Sequence, residues 1–175
     1  MDILYEASSG SPQIYSLYMH RINIIVLGKF KEAYWRDAEN EYLKRLQAFA
    51  KVNIIELKEE SFSEKDNPEK IKQKEKIKIE DEIKKIGETF LIALEEKGKT
   101  YSSPDFSKRM ITWSESISLT FVIGGPLGLH PDLVKEANAI ISLSPLTFTH
   151  QMARVILLEQ IYRAFMIAEN RRYHY

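Results

Sequence analysis

The sequence predicts a single α/β domain built on a largely parallel sheet with helices on both faces. Three observations carry that reading. Short apolar runs alternate with longer segments of helical periodicity, the spacing expected of βαβ units. The runs are rich in Ile, Val, Leu and Phe at consecutive positions, as strands covered on both faces require. The run at 119–123 closes on Gly124-Gly125, a strand-to-loop exit of the kind that approaches ligands in such sheets. A chain of 175 residues has room for one such domain with at most a short appendage.

Taken in order, residues 1–18 combine polar turn formers with scattered aromatics and have neither a basic start nor a continuous apolar run, so they do not read as a secretory signal. They are expected to be an extension or leader, with the domain running from Met19 to Tyr175. The first strand is expected at 22–28, ending on Gly28. A helix follows over 32–49, where Tyr34, Trp35, Ala38, Tyr42, Leu46 and Phe49 recur at helical spacing. The second strand is read at 52–57. The segment 69–86 is Lys- and Glu-rich with Ile79, Ile83 and Ile86 about one turn apart, a solvated helix with a narrow buried stripe. Its interleaved Glu69, Glu75, Glu80 and Glu82 argue against a nucleic-acid-binding lysine run. The third strand is expected at 90–94, a helix at 104–116, the fourth strand at 119–123, a short helix at 131–136, the fifth strand at 139–143 and a long helix from about 150 to 169. On that last helix Val155, Leu158, Ile161, Tyr162 and Phe165 form an apolar surface that predicts burial against a second copy.

Composition narrows the chemistry. There is no cysteine, which excludes disulfides, thiolate catalysis and zinc ribbons and is compatible with a cytoplasmic protein. Lys plus Arg and Asp plus Glu balance at 25 each, so any contact with nucleic acid is local rather than spread over one basic field. His20, His130, His150 and His174 show no paired ligand spacing, and no metal is expected. No apolar run reaches the roughly 20 residues of a membrane-spanning helix.

In open parallel sheets ligands lie beyond the carboxyl ends of the strands. The exits of strands three, four and five are therefore the places to search: Leu94-Glu95-Glu96-Lys97-Gly98-Lys99, Ile123-Gly124-Gly125-Pro126-Leu127-Gly128-Leu129 and Leu143-Ser144-Pro145-Leu146-Thr147-Phe148. The glycine loop is neither a dinucleotide fingerprint, which follows the first strand, nor a phosphate loop, which continues into Gly-Lys-Ser/Thr. On the last helix His150 and Arg154 share a face. The terminus Asn170-Arg171-Arg172-Tyr173-His174-Tyr175 offers cations, an imidazole and aromatics able to hold phosphate and stack a base.

Four ordered motifs carry a family resemblance over roughly residues 19–175: Phe121 to Leu129 (FVIGGPLGL), Ile141 to Thr147 (ISLSPLT), the helix from His150 through Arg154, Glu159, Tyr162 and Arg163, and the terminal Tyr173-His174. Together they resemble the RlmH-type SPOUT methyltransferases, which modify N3 of a pseudouridine in 23S large-subunit ribosomal RNA. The resemblance implies a parallel-sheet SPOUT fold with a C-terminal trefoil knot, a homodimer, and S-adenosyl-L-methionine as methyl donor. It implies a cofactor pocket formed by Leu94, Gly124, Gly125, Leu143, Ser144, Pro145, Leu146, Thr147 and Phe148. It implies catalytic roles for Arg154, Tyr173 and His174, with the ribosome as partner. Thr149 departs from the pattern, standing where a proline commonly precedes the histidine. A SPOUT methyltransferase acting on transfer RNA and a non-catalytic nucleotide- or RNA-binding dimer are the alternatives.

Overall fold

In the computed structural model, which describes residues 19–171, five parallel strands form one sheet in the order β2-β1-β4-β3-β5. The strands are β1 (His20–Leu27), β2 (Ala50–Leu57), β3 (Thr89–Lys99), β4 (Ser118–Ile123) and β5 (Ala139–Ile141). Between and after them run α1 (Ala33–Leu46), α2 (Pro68–Ile86), α3 (Ser103–Ser114), α4 (Pro131–Glu136) and α5 (His150–Ala168). Every expected element is present and of the expected type. The expected extension at 1–18 and the tail from Arg172 onward lie outside the described residues.

The strands read as continuous apolar runs because both sheet faces are covered. On one face Ile22, Ile24, Val26, Ile92 and Phe121 pack with Met110 of α3 and with Leu157, Leu158, Ile161 and Phe165 of α5. On the other, Ile25, Leu27, Ala93 and Val122 pack with Ile79 of α2 and Leu133 of α4. The side-chain period of two along a strand sorts these neighbours between the layers. β4 is central, and all six of its residues are buried. Near the amino ends of the strands a polar chain crosses the sheet: Asn53 Nδ2 donates to Asn23 Oδ1 (3.5 Å), Asn23 Nδ2 donates to Thr120 Oγ1 (3.3 Å), and Thr120 meets Thr89 Oγ1 at 2.8 Å. Pairing Asn23 with both Asn53 and Thr120 in register satisfies the hydroxyl of a fully buried threonine.

Helix starts follow local chemistry. Asn67, Ser102 and Thr149 cap α2, α3 and α5 by accepting from Glu69 N, Asp105 N and Met152 N. Pro68 and Pro104 stand in the first turns of α2 and α3, where a missing N–H costs nothing. Thr149, one of the departures from the family pattern, is thus the residue that caps α5.

Of the boundaries that differ from expectation, two shape the site. β3 continues to Lys99 instead of stopping at Leu94: its ladder with β5 is interrupted after Leu94↔Ile141 and resumes at Lys99↔Ile141, with Ser142 N donating to Lys99 O (3.0 Å). β5 ends at Ile141 because Ser142 leaves the sheet and its hydroxyl donates to Ser144 O (2.8 Å). At Gly98 the two main chains touch, and an added Cβ would lie 2.5 Å from the Ile141 carbonyl carbon. The apolar face of α5 is a third difference. Leu158, Ile161 and Phe165, expected to meet a second copy, are buried within this chain against the sheet and its neighbouring helices; Val155 and Tyr162 are half-buried.

Gly98→Ala is expected to displace β5 and to lower unfolding stability by about 1–3 kcal/mol, the cost of forcing one carbon into a filled space. Urea denaturation measures it, and an unchanged midpoint would show that the two chains separate freely.

Candidate active site

The exits of β3, β4 and β5 surround one cavity of about 570 Å³. Its floor and sides are Leu94, Glu95 and Glu96 from β3, Ile123 to Pro126 from β4, and Ser142 to Ser144 and Leu146 to Phe148 beyond β5. The start of α5 closes it with Thr149, His150, Gln151 and Ala153. The size is that of a site for a nucleoside-sized ligand.

Each wall is held by its own local chemistry. Ser144 Oγ accepts from Leu146 N (3.0 Å), folding 142–146 into a tight turn. Thr147 Oγ1 donates to Glu96 Oε2 (2.9 Å), a clasp from the last loop back to β3. In the glycine loop Gly128 N donates to Gly125 O (2.9 Å), and the residue with positive φ is Gly128 (φ 76°). Gly124 is required for a different reason: a Cβ there would stand 2.9 Å from both the Gly128 carbonyl carbon and Leu129 N. Beneath Gly125 lies the buried Glu75 of α2, whose Oε1 accepts from Glu60 N (3.0 Å). Burial pushes the Glu75 carboxyl above the usual carboxylate range.

The structure brings eight of the nine expected pocket residues to this cavity: Leu94, Gly124, Gly125, Leu143, Ser144, Leu146, Thr147 and Phe148. Pro145 lies in the same loop, exposed, and does not form its wall. Tyr173 and His174 lie outside the described residues.

Arg154 is placed elsewhere. Its guanidinium is buried, with Nη1 donating to Glu56 Oε1 of β2 (2.7 Å) and Nε pressed against Glu39 Oε2 of α1 out of hydrogen-bond alignment. The Phe30 ring lies 4.2 Å from it. Burial raises the Glu39 carboxyl, opposed by the charge and hydrogen bond of Arg154. A guanidinium committed to two carboxylates on the side of α1 and β2 is not among the residues that line the cavity of this chain.

Sequence reasoning passed over Glu95, Glu96, Ile123, Pro126, Ser142, Gln151 and Ala153 as site residues, although the rule that ligands lie at strand carboxyl ends pointed to most of them. His150 was noticed only as a partner of Arg154 on one helix face. Its ring edge stands over Gly28 (φ 95°): a Cβ on that glycine would lie 2.9 Å from His150 Nε2 and 3.3 Å from Glu59 Oε2. The Gln151 side-chain amide extends the same side of the cavity, its Nε2 donating to Lys29 O (3.4 Å). Burial depresses the His150 pKa below 6.5, partly offset by the nearby Glu59.

Among the described residues no cluster of three or more His, Cys, Asp or Glu could hold a metal ion, and no helix is long and apolar enough to cross a membrane.

Comparison with known proteins places these features in a family. A family model described as a predicted SPOUT methyltransferase matches residues 20–174. The chain is similar to the ribosomal RNA large subunit methyltransferase H of Streptococcus uberis, with 46% identity over 160 residues, covering 88% of this chain and 99% of the relative. The protein of that name from Oenococcus oeni is 45% identical over 161 residues (89% and 99%), and that from Desulforamulus reducens is 43% identical over 161 residues (89% and 99%).

Two outcomes are expected. Gly124→Val abolishes binding of S-adenosylmethionine while far-ultraviolet dichroism is nearly unchanged, because the clash is confined to the loop; calorimetric titration checks it, and normal binding would make that loop merely structural. Stability also depends on His150. A histidine whose pKa is depressed by folding is protonated first in the unfolded chain, so stability is lost as pH falls below 6.5. His20, depressed by burial in the same sense, adds to that loss. Glu39 and Glu75, raised by burial, act oppositely from 4.5 upward, so the histidine part is the difference between wild type and His150→Gln across a pH series of urea titrations.

Proposed function

Because the chain belongs to the SPOUT methyltransferase family, we propose that it methylates large-subunit ribosomal RNA, at N3 of a pseudouridine, with S-adenosylmethionine as methyl donor and as a homodimer acting on ribosomes in the cytoplasm. The observation that carries this reading is the cavity at the three strand exits, in a chain that matches large-subunit rRNA methyltransferases over nearly their whole length.

The residues present fit the donor. Leu94, Ile123, Leu143, Leu146 and Phe148 supply the apolar surface that an adenine ring needs, and the loops 124–126 and 142–148 bring main-chain polar groups to the same space. Glu95 and Glu96 put negative charge beside a ligand that carries a sulfonium and an ammonium. When bound, the donor supplies an electrophilic methyl carbon. The protein's own part is to hold the acceptor nitrogen in line with that carbon, exclude water and manage the N3 proton.

Tyr173 and His174 belong to this reading as residues that stack and orient the base, reaching the cavity of a second copy. Arg154 supports it from behind: fixing α5 to α1 and β2, it sets the position of His150 and Ala153 in the wall. The dimer is supported by apolar surface left beside the cavity, Leu146 at 72% and Met152 at 38% exposure. The trefoil knot is part of the same reading. Its support is the excursion of β3 at 95–98, which leaves and regains Ile141 and so confines the chain that passes from β5 to α5.

Incubating ribosomes with the protein and a labelled methyl donor, followed by mass mapping of the RNA, is expected to add one methyl to a pseudouridine of the large subunit. Label in transfer RNA alone would favour the transfer-RNA reading, and binding without transfer would favour a sensor. Deleting residues 173–175 is expected to cut methylation about a hundredfold or more while donor affinity stays within a few-fold. An unchanged rate would remove the tail from the mechanism.

A further inference from the structure

Removal of the N3 proton needs an acceptor within the described residues or the tail. The cavity wall holds one titratable imidazole. His150, half-buried at the start of α5, lines the cavity and has its Nε2 and Cδ2 edge set against Gly28 at the end of β1. Across that glycine stands Glu59, beyond the end of β2, with Oε2 buried and without a hydrogen-bond partner. Gly28 is the residue that lets the two approach: it takes φ 95°, and any side chain there would meet both groups. A buried carboxylate oxygen left unpaired is costly unless a donor reaches it during function. A neutral imidazole has one N–H donor and one acceptor nitrogen, and on gaining a proton both nitrogens donate, so a donor can face Glu59 while the other nitrogen takes up the proton, as in the base-and-orienter arrangement of general-base sites.

We propose that the imidazole of His150 accepts the N3 proton of the target base and that Glu59 is the residue positioning it, an inference that rests on the reading of this chain as an N3 methyltransferase. In the step the N3–H bond breaks and its proton passes to an imidazole nitrogen of His150. The N3 electron pair forms the new bond to the methyl carbon, and the carbon–sulfur pair stays on sulfur. The imidazolium, its charge balanced by Glu59, then releases the proton to solvent. The charged groups around the ring are Glu59 after β2, Lys31 in the β1–α1 loop and Arg154 one turn along α5, with Glu95 and Glu96 of β3 lining the same cavity. Burial keeps the imidazole neutral at neutral pH, the form a proton acceptor requires; Glu59 opposes that depression, while Lys31 and Arg154 reinforce it.

The test joins two readouts on the full-length protein. Imidazole proton resonances are followed against pH, with His150 assigned as the signal missing from His150→Gln. The rate of ribosome methylation at saturating donor is measured over the same pH series. The rate of the wild type is expected to rise with pH through a midpoint equal to the His150 pKa. His150→Gln should lose that limb and about a hundredfold of rate at pH 7. Glu59→Gln should move the resonance midpoint and the rate midpoint down together, and Lys31→Met should move both up, so that the two variants test the coupling in opposite directions. A His150→Gln enzyme within about threefold of wild type, or a rate midpoint that ignores the resonance shifts in both variants, overturns the assignment and leaves the methyltransferase reading standing. A wild-type protein that binds the donor and leaves large-subunit RNA unmodified overturns both.

Discussion

Two stretches of main chain meet at Gly98 and Ile141 with no side chain between them, and the shape of the site depends on that contact. A strand that ended at Leu94 would leave the chain after β5 free to follow the sheet edge. β3 instead leaves the ladder at Glu95 and rejoins it at Lys99, holding residues 141 and 142 from both sides. The chain must then turn at Ser142–Leu146 and reach α5 across the carboxyl ends of the central strands. Thr147 fastened to Glu96 completes the enclosure. The cavity is thus a product of backbone routing, and glycine at 98 and 124 is demanded by close approach of main chain rather than by positive φ.

The position of α5 is settled on its other side by electrostatics. Arg154 is buried against the buried Glu39 of α1 and reaches out to the exposed Glu56 of β2. Losing the buried partner Glu39 would leave the buried guanidinium held only by an exposed carboxylate, so the pair constrains where the helix sits. The raised Glu39 carboxyl shows that burial outweighs the attraction of Arg154. One turn earlier on the same face, the helix delivers His150 to the cavity. The spacing of four that joins His150 and Arg154 in sequence therefore joins a site residue to its anchor, which is why the two were read together and why their roles differ.

Much of the fold was legible because parallel strands covered on both faces leave continuous apolar runs, and those runs marked every strand. The ends of strands were less so. Glu95-Glu96-Lys97-Gly98 has the composition of a loop, and nothing in it signals that Lys99 regains the ladder; that pairing is imposed by the returning chain. Leu143 keeps the run after β5 apolar, and the Ser142 between them carries no sign in sequence that its hydroxyl bonds Ser144 O and takes the chain out of the sheet. The burial of Arg154 was hidden because its partners are distant in sequence. The face of α5 was read correctly as apolar and wrongly as uncovered, since the sheet, α1 and α3 need nearly all of it. The pocket was legible through the strand-exit rule and the family motifs, whereas its imidazole was visible only as a helix position until Gly28 and Glu59 closed on it.

Charge decides how two substrates of opposite sign share so small a protein. The formal charges cancel, so no global field draws in RNA. A cationic methyl donor is favoured beside Glu95 and Glu96 on the β3 side of the cavity, and a polyanion is disfavoured there by the same carboxylates. The opposite side carries Lys29 and Lys31 in the loop after β1; Gln151 of α5 donates to the Lys29 main-chain oxygen, and the Lys31 charge acts on His150. On the proposed reading, phosphate contacts are better met from the β1 side, where Lys31 stands, than beside Glu95 and Glu96. With recognition confined to that edge, affinity for a free strand would be weak and steeply salt-dependent. If the proposed reading holds, a preassembled particle that presents one base in a fixed place would supply what the local field lacks.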